Sequence, residues 1–185
     1  VPASTATLLK QHGYDIAWND AIAEGWNYAR YTDYVNLVAP DILAMETKTP
    51  VIRQHWRIIT ELKRRSPSTQ FVLMGDHVTA FPEESLKECP EIDFIITGGD
   101  YDFSLLGIAD HLSKGTELPP GIWFRREGKI TSTGDFELTG NLNSLPMIDR
   151  DLTKFSLYRE FNIKRKPFAY TMAGRDCPYH RCRFC

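Results

Sequence analysis

Three of the four cysteines fall within nine residues, Cys177-Pro-Tyr-His-Arg-Cys182-Arg-Phe-Cys185. Closely spaced thiols in a chain without a basic-then-apolar leader point to metal rather than to disulfides. Three thiolates on one loop can hold three irons of a 4Fe-4S cluster and leave the fourth iron open to an exchangeable ligand. A structural zinc needs four protein ligands, and only His180 stands nearby, between two of the cysteines. A cluster, a zinc site in a small adaptor and an inert set of thiols are the three readings of this segment. Cys89, before Pro90 and far from the others, reads as a plain structural thiol.

A second set of candidates follows from the elements upstream. Strand-length apolar runs alternate with helical patterns, as in a parallel sheet covered on both faces. The sequence predicts strands at 41–46, 70–74 and 93–97, and helices from about 51 to Arg65, at 82–86 and from about 103 to Gly115. In the first of these helices Ile52, Trp56, Ile59 and Leu62 keep a spacing of three and four. Thr49 is placed as its cap and Pro50 at its first position, with Lys63, Arg64 and Arg65 at its negative end. Residues 5–12 read as a helix closed by Gly13, and Tyr14–Trp18 as a strand. A further strand is expected before that helix, so the chain is expected to begin inside its domain. Gly121–Ile130 alternates about Glu127-Gly128 as an edge hairpin, and 134–152 reads as a connector. The expected class is α/β, a Rossmann-like (flavodoxin-like) doubly wound, mainly parallel sheet with an edge hairpin.

In such a sheet ligands bind beyond the carboxyl ends of the strands. The loops there are Asn19-Asp20, Glu46–Pro50, Gly75–Thr79 and Thr97–Asp102. Gly75, Gly98 and Gly99 permit close backbone approach to a bulky group, and Thr47, Thr49 and Thr79 offer hydroxyls. His77 reads equally as a ligand contact or as a partner of a neighbouring loop, and Asp76, Asp100 and Asp102 also read as helix caps. His12, His55 and His111 fall in helical stretches and read as packing or surface residues.

Composition narrows the function classes. The 185 residues are 42% hydrophobic and 25% charged, with 12 Gly and 11 Pro, so neither disorder nor a fibrous fold is indicated. No apolar run reaches membrane-spanning length, and a cytoplasmic location is expected. Of 22 Lys/Arg and 24 Asp/Glu, eight basic and three acidic residues lie from Asp151 onward, leaving 14 against 21 before it. The basic residues of that last part are scattered among cysteines, which disfavours nucleic acid. No Gly-x-Gly-x-x-Gly and no Walker loop occurs, which disfavours an ordinary dinucleotide or nucleoside triphosphate site.

The segment Tyr170-Thr-Met-Ala-Gly-Arg-Asp-Cys-Pro-Tyr-His-Arg-Cys-Arg-Phe-Cys185 resembles the strand and cluster loop that open the barrel of radical S-adenosylmethionine (SAM) enzymes. The part before it resembles the cobalamin-binding domain of their B12-dependent branch, which includes methyltransferases and the anaerobic magnesium-protoporphyrin ester cyclase. Lys48-Thr-Pro50 follows a strand as in that branch. Gly75-Asp-His-Val-Thr-Ala-Phe-Pro-Glu-Glu84 resembles its Gly-Gly-x-His-x-Thr-x-x-Pro-Glu segment, and Thr97-Gly-Gly-Asp-Tyr-Asp102 stands where Gly-Glu-Gly-Glu is common. Leu142–Asp149 resembles the linker between domains. The cysteine spacing is four then two where three then two is usual, Asp76 replaces a glycine, and the Asp-x-His-x-x-Gly motif carrying an axial histidine is absent.

The resemblance implies cobalamin contacts at Asp20, Thr47, Lys48, Thr49, Gly75, Asp76, His77, Val78, Thr79, Gly98, Gly99 and Asp100, with no axial histidine from the missing motif. It implies cluster ligands at Cys177, Cys182 and Cys185 and puts Phe184 near the adenine of SAM. Residues 1–133 would be the cobalamin-binding domain, 134–168 a linker, and 169–185 the first strand and cluster loop of a barrel whose remainder is missing. The implied activity of the parent is cleavage of SAM to a deoxyadenosyl radical, for methyl transfer to, or cyclisation at, an unactivated carbon. The chain alone is expected to show no turnover. Expected partners are a small-molecule or lipid-like substrate, the barrel of the same protein, and an electron donor such as flavodoxin or ferredoxin. The alternative is a Rossmann-like recognition module that has lost cobalamin and docks substrate or partner beside the barrel.

Overall fold

In the computed structural model, residues 2–138 and 140–158 are described. The three expected parallel strands are β1 (Ile42–Glu46), β2 (Gln70–Met74) and β3 (Phe94–Ile96). Phe71, Val72, Leu73 and Met74 of β2 are all buried, so apolar side chains leave both faces of this strand and both faces must be covered. One face packs on α2 (Tyr28–Val38), α3 (Ile52–Arg65), α4 (Asp76–Ala80) and α5 (Pro82–Glu88), through Val35, Ile59, Leu62, Val78 and Leu86. The other packs on α1 (Pro2–Gln11) and α6 (Tyr101–Lys114), through Leu9, Leu105, Ile108 and Ala109.

The sheet runs in the order β1-β2-β3-β4-β5. Strands β4 (Ile122–Arg126) and β5 (Lys129–Ser132) are antiparallel additions at the β3 side. Glu127 (φ 52°) and Gly128 (φ 76°) both take left-handed conformations, the turn that matches the twist of a two-residue hairpin. Arg125 braces this edge, donating to the carbonyls of Leu86, Pro90 and Ile92.

Four local expectations are corrected. Tyr14–Trp18 is not a strand, since no sheet neighbour lies beside it among the described residues and an unpaired strand has no ladder to join. Gly75–Thr79 is not a plain loop, because Asp76–Ala80 closes into the short α4. Thr49 does not cap the helix before Arg65; a 3₁₀ turn, Thr49–Val51, precedes α3, and Lys48 holds its cap position without a side-chain bond. The helix α2 was absent from the sequence reading. Its Asn27 cap accepts from the Arg30 N–H at 2.9 Å, yet of its apolar residues only Val35 is fully buried, and Leu37 is 85% exposed.

Candidate functional site at the strand ends

The carboxyl ends of β1 and β2 are locked together before any ligand is considered. Thr47 is buried, its N–H donates to the Met74 carbonyl at 2.8 Å, and its hydroxyl pairs with Nδ1 of His55 at 2.9 Å. Burial pushes the His55 imidazole below its ordinary pKa. Gly75 leaves β2 at φ 115°, and a Cβ there would stand 2.2 Å from the Thr47 carbonyl oxygen. Only glycine fits where these two backbones cross.

Two more side chains link the rim. Thr49 Oγ1 meets Nδ1 of His77 at 3.1 Å, while Nε2 of that ring is buried without a hydrogen-bond partner, packed between Trp56 and Phe81. Thr79 Oγ1 donates to the Gly75 carbonyl at 2.9 Å, accepts from the Gly98 N–H at 3.3 Å and meets the Tyr101 hydroxyl at 3.4 Å. Burial pushes the Tyr101 phenol up, and the Asp76 and Glu46 carboxylates add to the shift, so it keeps its proton as a donor at neutral pH. Lys48, Thr49 and Asp76 are exposed beside it.

Thus the rim carries three hydrogen-bonded groups, Thr47 with His55, Thr49 with His77, and Thr79 with Gly75, Gly98 and Tyr101, with Lys48 and Asp76 exposed beside them. Val78 faces away, fully buried in the core with Leu86. Asp20 belongs to its own turn, accepting from the Ala23 N–H at 3.0 Å. The expected room at Gly98 and Gly99 is taken by the chain itself: a Cβ on Gly98 would meet the Phe136 ring at 2.2 Å, and one on Gly99 would meet Leu138 at 3.2 Å. Asp100 fastens this strap by accepting from the Gly140 N–H at 2.9 Å. Sequence reasoning missed Tyr101 and His55. The signal for Tyr101 was its place directly after the Gly-Gly-Asp loop; for His55 it was one helical turn after Val51, turned toward the strand end. Cys177, Cys182, Cys185 and Phe184 lie outside the described residues, and among the described residues no group of three or more His, Cys, Asp or Glu could hold a metal ion.

No family model matches the chain. Over 99% of its length it is 28% identical to an uncharacterized methyltransferase of Pyrococcus horikoshii. Over 99% of its length it is also 32% identical to the anaerobic magnesium-protoporphyrin IX monomethyl ester cyclase of Rubrivivax gelatinosus. The resemblance read from the motifs holds. The chain spans 39% and 34% of those two relatives. Its fold matches that of the radical SAM methyltransferase TsrM from Kitasatospora setae, solved with cobalamin and a 4Fe-4S cluster bound, with a TM-score of 0.61 at 16% identity, over 71% of this chain and 27% of that one. No helix among the described residues is long and apolar enough to cross a membrane.

Proposed function

We propose that the chain is the cobalamin-binding region of a radical SAM enzyme, with 1–133 as the binding domain, 134–168 as the linker and 169–185 as the opening of the barrel. The observation that carries this reading is the oxygen-rich rim at the strand ends, where Thr49, Thr79 and Tyr101 offer hydroxyls beside the exposed Asp76 carboxylate. A corrin ring edged with amides needs such hydroxyl and carboxylate partners. Bound there, cobalamin would supply a methyl-carrying cobalt, and SAM at a cluster held by Cys177, Cys182 and Cys185 would supply the radical chemistry for methyl transfer or cyclisation. Substrate and electron donor would meet the barrel rather than this rim.

The residues of the chain have separable parts in this reading. His55 fixes the Thr47 hydroxyl, and Thr79 ties the β2 exit to the β3 exit. Tyr101 donates a hydrogen bond to the ligand. His77 is a positioning residue for Thr49, with its Nε2 buried between Trp56 and Phe81. The test is to mix the protein with hydroxocobalamin, remove free ligand on a sizing column and record the visible spectrum of the protein peak. Stoichiometric retention is expected, reduced in Tyr101→Phe, with a band position unchanged in His77→Gln. No retention by the longer parent protein sinks the reading.

The recognition module is favoured by one observation, the Phe136 and Leu138 side chains seated over Gly98-Gly99 where part of a cofactor would lie. Phe136→Ala discriminates between the two: under the cobalamin reading it lowers the dissociation constant in a titration followed by the visible spectrum, and under the recognition reading no binding is seen with or without the substitution.

A further inference from the structure

Three aromatic side chains from separate parts of the chain meet around a cavity of about 530 Å³ beside the carboxyl end of β3. Phe81 stands at the joint between α4 and α5, Trp123 on β4, and Phe136 on the segment that follows β5. Each is held in place by its neighbours. The Phe81 ring lies against the His77 imidazole, with 5.5 Å between centroids. Trp123 stands opposite Ile95 in the sheet and packs on the core beneath α3 and α5. Phe136 is seated where Gly98 and Gly121 leave room, since a Cβ on either would stand 2.2 and 2.5 Å from its atoms. Yet among the described residues the three rings do not pair with one another and no Lys or Arg lies over them. Phe81 and Phe136 are 51% and 43% exposed, so their faces are open to a ligand.

The charges around this cavity have one sign. Glu83, Glu84 and Asp135 line it, and no basic residue does. Lys87 pairs with Glu83 at 2.7 Å, whereas Glu84 and Asp135 make no ion pair among the described residues. An aromatic ring is negative on its face, so carboxylates beside open ring faces add to that potential rather than cancel it. The group that suits such a site is a cation. A primary ammonium brings three N–H donors that each need an acceptor, which ring faces do not supply. A methylated ammonium needs none, and its methyl groups spread the charge over the rings. We infer that the cavity binds a methylated ammonium group, with Phe81, Trp123 and Phe136 against the methyls and the exposed Glu84 and Asp135 at the edge. The inference does not rest on the cobalamin reading.

The test uses the protein without cobalamin, so its outcome is separate from that of the cofactor experiment. Choline, its uncharged isostere 3,3-dimethylbutanol and the primary amine ethanolamine are each titrated at low salt. Binding is followed by the Trp123 indole N–H and the Thr97 and Phe136 amides in two-dimensional NMR spectra. Choline is expected to shift these signals saturably and to bind about tenfold more tightly than either comparator. Phe136→Leu keeps an apolar side chain but removes a ring face, and is expected to weaken choline about fivefold while leaving the isostere unchanged. Glu84→Gln combined with Asp135→Asn, both at exposed positions, is expected to weaken choline about threefold, again without effect on the isostere. Three results overturn the inference: choline binding no more tightly than 3,3-dimethylbutanol, ethanolamine binding as tightly as choline, or no shift at these three residues.

Discussion

His55 and Cys89 show how burial sets side-chain chemistry here. The folded-state pKa of His55 lies below its ordinary 6.5, so the unfolded chain takes up the proton first. Stability therefore falls as pH drops below 6.5 and levels off once pH passes the folded value. Urea midpoints across pH 7.5 to 5 are expected to decline more steeply for the wild type than for His55→Gln, and parallel curves refute the assignment. Burial pushes the Cys89 thiol up to about 11, so iodoacetamide at pH 8 is expected to leave it unmodified until the protein unfolds, as read by peptide mass. Such details were only partly legible in the sequence. Thr47, Thr49, Gly75 and Thr79 could be found because they follow strands, whereas His55 sits in a helical stretch that periodicity assigns to packing, and Tyr101, inside the Thr97–Asp102 loop, was passed over for the glycines and Asp100 beside it.

Elements with strong patterns were legible, and elements defined by tertiary partners were not. The uninterrupted apolar run of β2 and the three-four spacing of α3 fix their own geometry. In contrast α2 presents a mostly wet surface, and Tyr14–Trp18 has strand-like composition but no neighbour to pair with among the described residues. The strap of Phe136, Leu138 and Gly140 was read as connector because nothing local says that Phe136 fills the space above Gly98. Two variants probe these joints. Gly75→Ala is expected to cost about 1–3 kcal/mol from backbone strain alone, with more from displacing the Thr47 carbonyl, measured by chemical denaturation. Asp102→Ala removes the buried acceptor that Ser4 and Thr5 share across two helices and is expected to cost about 1–3 kcal/mol. A cost within error shows that the bonds to Asp102 do not hold α1 in place.

At the scale of the whole molecule, residues 134–138 and 140–158 wrap back onto the domain rather than trail from it. The Asp149 N–H donates to Thr7, its carboxylate pairs with Lys10 at 2.7 Å, and Lys154 pairs with Glu24 at 2.7 Å. The hydrogen bond from Lys10 holds the Asp149 carboxyl below its ordinary 3.8, so this contact favours docking while the group is ionised and fades as pH falls from about that value through the lower folded one. Limited proteolysis is expected to cut within 141–152 faster at pH 3 than at pH 6, using an acid protease calibrated on a free peptide of the same sequence. Equal rates mean that the pair contributes nothing to docking.

The first helix owes its place to residues far along the chain, Asp102 for its first turn and Asp149 for its middle. During synthesis at about 5–20 residues per second, Ser4 is incorporated roughly 5–20 s before its acceptor is made. Through that interval α1 has no surface to bury itself against, and its short length gives little helicity of its own. This helix thus settles only after α6 is made, and until then the nascent chain carries an unsheltered apolar stripe.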